Sequence, residues 1–143
     1  MAIIICNMAL YRIPNQIQSL FATLATPALV FLNIFLADQQ IEWLKEFGHK
    51  GLVIDDTFHS TGYTFKLTVL MLLDDADRGV PGAFLLSDSV DADSVVPLFQ
   101  EIKRFVPEFD LATFMSDDTN SFHNAFIRVF PHCRPKKFLC QWH

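Results

Sequence analysis

Between Gly51 and Ser87 three β-forming apolar runs follow one another across short connections, and two amphipathic helical patterns then alternate with two more short apolar runs. Strands joined across a few residues pair antiparallel, whereas parallel neighbours need a crossover of about a dozen residues or more. The order therefore predicts a three-strand meander extended by parallel strands through helical crossovers, a mixed α/β sheet. The strands fall at Gly51–Phe58, Tyr63–Leu73, Ala83–Ser87, Ala112–Met115 and Phe138–Gln141. A buried strand at Val30–Leu36 precedes them. Helices are expected over Asp38–Phe47, capped by Asp38 and followed by Gly48; from Asp93 or Ser94 to Phe105; and over Asn120–Phe130, closed by Pro131.

Two of the strands end in carboxylates: "GLVIDD" delivers Asp55 and Asp56, and "ATFMSDD" delivers Asp117 and Asp118. If the fourth strand crosses over to lie beside the first, both acid tips reach the same end of the sheet, where open α/β sheets collect ligands. Two converging carboxylates repel unless a proton or cation lies between them. Magnesium takes oxygen ligands and keeps several waters, so such a pair can hold it and leave room for phosphate. Asp55 and Asp117 are the expected ligands, with Asp56 and Asp118 facing away or capping the next element. The same acids also suit a turn or a helix cap, and that alternative stays open on pattern alone. His59 and His123 lie where they could touch a substrate, or simply end their elements.

At 143 residues with 15 Phe the chain is the size of one globular domain. Its formal net charge of −5 opposes a strong grip on nucleic acid by this segment alone. Three cysteines, Cys6, Cys133 and Cys140, without framework spacing suit a reducing, intracellular compartment. The uncharged stretch Ser19–Ala37 contains Pro27 and Asn33 and is short for a bilayer, so a turn or helix leading into a strand is expected instead of an anchor. "DDADRG" departs from a calcium loop in the place of its glycine and reads as a hairpin turn. "CQWH" offers Cys140 and His143 as half of a zinc site, which Cys133 and His132 could complete.

Taken in order, "VIDDTFHSTGYTFKL", "DDADRGVPGAFLLSDS", "FMSDDTNSFHNAFIRVFPHC" and "LCQWH" resemble the transposase domain of Mutator-like elements and the plant far-red-response regulators derived from such transposases. The family pattern falls on Asp55, Thr57, Phe58, Tyr63, Gly79, Pro81, Ser116, Asp117, Ala125, Phe130, Pro131, Cys140 and His143, within residues 30–143. Residues 1–29 match nothing in that pattern and form an unassigned segment. The resemblance implies a ribonuclease-H-like fold and a DDE site, in which three acids bind two magnesium (or manganese) ions for DNA cleavage and strand transfer. Asp55 and Asp117 take the first two catalytic, metal-binding places; Cys140 and His143 match a Cys/His motif of unsettled role. The family's third acid lies beyond that motif, and this chain ends at His143. The expectation is thus a partial domain, truncated at its C-terminus and weakly active or inactive alone. The resemblance also implies transposon-end DNA as partner of the full-length family and a nuclear location; whether the chain forms an oligomer stays open, and no membrane partner is expected from the composition of Ser19–Ala37. The alternative is a domesticated, non-enzymatic module acting in protein interaction or transcriptional regulation.

Overall fold

The computed structural model describes residues 32–57, 65–117 and 120–140. The elements run β1 (Leu32–Phe35), α1 (Asp38–Phe47), β2 (Leu52–Thr57), β3 (Lys66–Leu73), β4 (Gly79–Ser87), α2 (Ala92–Phe105), β5 (Thr113–Ser116), α3 (Ser121–Val129) and β6 (Lys136–Leu139). They build a six-stranded mixed sheet in the order β1-β4-β3-β2-β5-β6. The meander β2-β3-β4 is antiparallel, β1 adds antiparallel to β4, and β5 and β6 add parallel to β2. The expected α/β mixed sheet is what the chain forms. The strand at Leu32–Phe35 takes the edge farthest from β6.

Local chemistry moves several boundaries. β4 begins at Gly79, not Ala83, because the hairpin closes earlier: the Asp74 carboxylate accepts the N–H groups of Ala76 and Arg78 at 2.8 and 2.9 Å. A register shift between Leu70 and Met71 then accommodates Pro81, which has no N–H to give the ladder. The cap of α2 is Asp91, whose Oδ1 accepts the Ser94 N–H at 2.8 Å, in place of Asp93 or Ser94. At α1 the cap position is Ala37, and its N–H donates to Gln40 Oε1 at 2.7 Å; Asp38 is the first helical residue. Gly48 keeps a right-handed φ of −56°, so it is needed for space: a Cβ there would strike the Phe109 ring and the Leu44 carbonyl. β6 starts at Lys136, whose N–H reaches the Ala112 carbonyl at 3.0 Å, and ends at Leu139, ahead of the Phe138–Gln141 expected.

The pleat sorts the sheet into two unlike faces. Leu52, Ile54, Leu70, Leu72, Ala83, Leu85 and Phe114 are buried in one core with the apolar stripes of the three helices. In α2 that stripe is Val95, Leu98, Phe99 and Ile102, and in α3 it is Phe122, Ala125, Phe126 and Val129. Phe126 is the hub, with ring centroids 5.4 Å from Phe99, 5.4 Å from Phe114 and 5.2 Å from Phe130. It therefore clamps both parallel-strand crossovers onto β5. The opposite pleat carries Val69, Met71, Phe84, Val53 and Met115, all half-buried, and no described helix packs there. Removing the hub ring leaves a cavity shared by two helices and the sheet. Phe126→Ala is expected to cost about 3–5 kcal/mol, measured as a lower urea midpoint with an unchanged m-value.

Candidate functional site

β5 reaches β2 because the chain at Gly51 has no side chain to obstruct it. Gly51 has φ +155°, and a Cβ there would meet Thr113, whose carbonyl oxygen would lie 2.9 Å away. The Thr113 hydroxyl instead donates to the Lys50 carbonyl at 3.2 Å, and the Ala112 N–H donates to the His49 carbonyl at 3.1 Å. These bonds set the register Leu52 opposite Phe114 and Val53 opposite Met115. One further pleat brings Asp55 level with Asp117 on neighbouring strands, which in a sheet run about 4.8 Å apart.

The same alternation decides which acids share a face. Val53, Asp55, Met115 and Asp117 are half-buried and lie on the pleat that no described helix covers. Asp56 lies on the helical side and is 7% exposed. Burial pushes its carboxyl above the usual range; Lys66 opposes that, while Asp117 and Asp55 add to it. The three acids are thus electrostatic neighbours, as expected of two strand tips that meet. The Asp55 carboxylate also accepts the N–H of Asp56 at 3.0 Å. Asp118 lies outside the described residues.

Around the tips the structure separates the remaining candidates. Cys140 arrives one strand over, its N–H donating to the Ser116 carbonyl at 2.7 Å, so the Cys/His motif begins beside Asp117. His143 and His59 lie outside the described residues. His123 packs on the helical side, its ring edge-on to Phe114 at 5.4 Å; burial, with Lys137 nearby, lowers its pKa. Cys133 does not suit a zinc thiolate. Its sulfur accepts the Leu111 N–H at 3.2 Å inside the core, and burial raises the thiol to about 11. His132 stands exposed, its ring 6.2 Å from that of Phe130. In the hairpin, Asp74 is committed to Arg78 by a 2.8 Å ion pair, which leaves no calcium loop. Among the described residues no group of three or more His, Cys, Asp or Glu stands at metal-binding geometry. No helix among them is long and apolar enough to cross a membrane.

Periodicity did not single out Thr68. It pairs with Asp56 across β2 and β3, and its Oγ1 is buried with no hydrogen-bond partner. A hydroxyl dehydrated without compensation is destabilising, so Thr68→Val is expected to raise stability by about 1 kcal/mol, read from chemical denaturation. For Asp56 the folded pKa lies above the unfolded value of 3.8. The folded state then holds its proton more tightly, so this contribution is complete below pH 3.8 and is lost as pH rises through the folded value. Asp56→Asn should abolish that acid-side decline and leave the protein more stable at pH 7, which melting curves across pH will reveal.

Compared with protein-family models and with curated proteins, the chain matches none.

Proposed function

We propose that this chain carries a transposase domain of the Mutator-like, DDE type, in which Asp55 and Asp117 hold a divalent metal ion for phosphodiester chemistry. The observation that carries the reading is the parallel β2–β5 pairing, whose register, continued by one pleat, brings the two acid tips level on the pleat that no described helix covers. The strand order supports it too: an antiparallel meander extended by two parallel strands through helices is the order that a ribonuclease-H-like sheet requires. The two acids suit one magnesium or manganese ion, since magnesium is commonly bound through one or two carboxylates and its own waters. When bound, such an ion polarises the phosphoryl oxygen and lowers the pKa of an attacking water.

Orientation and charge balance fall to the chain's own residues. Asp55 and Asp117 would orient the ion by their place at two adjacent strand ends, a rigid base for a site. Asp56 is kept off that face, its carboxyl pushed above the usual range first by burial, with Lys66 opposing and Asp117 and Asp55 adding to the shift. Holding a second ion for in-line displacement takes a further ligand besides this pair. Its location, on this reading, is the nucleus, and its partner is DNA. The second reading is a domesticated module on the same fold that regulates transcription or binds protein without catalysis.

Manganese titration followed by NMR distinguishes the cases. Paramagnetic broadening is expected to begin at the amides of Asp55, Asp117 and Cys140, and to disappear in Asp55→Asn and Asp117→Asn. Broadening elsewhere, or none up to millimolar metal, would sink the metal-site reading. The regulatory reading predicts that a transcriptional reporter responds equally to the wild type and to the double Asn variant.

A further inference from the structure

The strands on the β1 side of the sheet are apolar on both pleats. A strand with one wet face alternates apolar and polar residues, whereas one buried on both faces reads as a continuous apolar run. Between Leu67 and Leu73 of β3 the one polar residue is Thr68, and the pleat sends it to the helical side with Leu70 and Leu72. The other pleat, where no described helix packs, carries Leu67, Val69, Met71 and Leu73. Leu67 is buried there without belonging to the helix-packed core. The register extends this apolar surface over two more strands: Leu67 pairs with Leu86, Val69 with Phe84, and Phe84 with Phe35. None of these positions is charged, and the acids of the same pleat begin one strand farther on, at Asp55 of β2.

The chain enters this part of the sheet at the end where the acid tips stand. Leu32, the first residue of β1, is opposite Ser87, the last of β4, and Ser87 is opposite Lys66, the first of β3. β2 finishes at the same end, with Thr57 opposite Leu67. Residues 19–31, which lead into β1, lie outside the described residues. In sequence they hold no Asp, Glu, Lys or Arg and include Leu20, Phe21, Leu24, Leu29, Val30 and Phe31. From β1 to β3 is two strand spacings, about 10 Å. Thirteen residues reach about 20 Å when helical and about 43 Å when extended, so either conformation crosses β4 and β3.

We infer that the open pleat of β1, β4 and β3 is a docking surface whose occupant is this chain's own segment 19–31. An uncharged apolar pleat and an uncharged apolar segment, joined at Leu32, each gain by removing the other from water. An ion or a charged peptide finds no counter-charge on this surface. A second copy carries the same segment, but the direct connection through Leu32 gives the intramolecular contact the higher effective concentration. A layer over β1, β4 and β3 leaves β2 and β5 as the first bare strands. Its margin then forms a wall beside Asp55 and Asp117 and turns a flat face into a recess. The inference does not rest on the transposase reading.

Methyl NOE spectra of the full chain test this contact. Cross-peaks are expected from the Leu24 and Leu29 methyls to those of Val69 and Leu86, and a sample mixing two labelling patterns should show none between copies. Leu24→Asp with Leu29→Asp should abolish those cross-peaks, shift the Val69 and Leu86 methyls, and raise the fluorescence of bound ANS severalfold as the pleat opens. The Ile54 and Leu70 methyls, packed beneath the helices, report whether that variant is folded. Should it unfold, Leu29→Ala is expected to shift the same two methyls by less. Absence of the wild-type cross-peaks overturns the inference, as do Val69 and Leu86 methyls unmoved in the folded variants. Cross-peaks found only between copies overturn it too, since the surface would then belong to a second molecule. Asp55→Asn with Asp117→Asn should keep every cross-peak. A covered pleat whose acids take no metal removes the transposase reading alone.

Discussion

The parallel seam between β2 and β5 is the contact on which the rest of this molecule depends. It joins segments far apart in sequence, and so must be formed against the entropy of closing a long loop. Two things make it possible: a glycine at position 51 that lets Thr113 approach, and an aromatic cluster that presses β5 onto the sheet from behind. Without the seam the meander and the α2–β5–α3–β6 unit are two pieces, and the acids at 55 and 117 have no reason to be neighbours.

All three described helices share one side of the sheet, which divides labour between the two faces. The covered side supplies stability through leucine and phenylalanine burial, at roughly 25 cal/mol per Å² of apolar surface. The other side presents half-buried aliphatic residues, two acids and, at its edge, Lys136 and Phe138. A site on that side can exchange cations and anions without disturbing the core. Asp56 lies at the boundary, its carboxyl turned toward the stabilising side and its electrostatics still linked to the reactive one.

Much of this was legible in the residues. Spacing located the three helices within a residue or two, because each has a three- and four-residue apolar stripe and clear breakers. The acid tips were legible because an apolar run ending in Asp-Asp occurs twice. What eluded the pattern was tertiary. Gly79 and Pro81 look like turn residues, yet they lie in β4, where a bulge absorbs the proline. Cys133 and His132 look like ligands by spacing, yet the Cys133 sulfur is buried in the core and accepts the Leu111 N–H. Thr68 looks like any β-former, and its orphaned hydroxyl is visible only when the layer above it is in place. Lys136 and Lys137 were in plain view as composition, but that the pleat sends only Lys136 to the face of the acids depends on strand order.

The contrast between the two described cysteines has a practical consequence. Cys133 is 1% exposed and its proton is held tightly, so alkylating reagents meet it slowly in the native state. Cys140 is partly accessible and sits one strand from Asp117. In a Cys6→Ser background, a spin label or fluorophore would therefore attach at a single place on the folded domain, and that place reports on whatever settles at the strand tips.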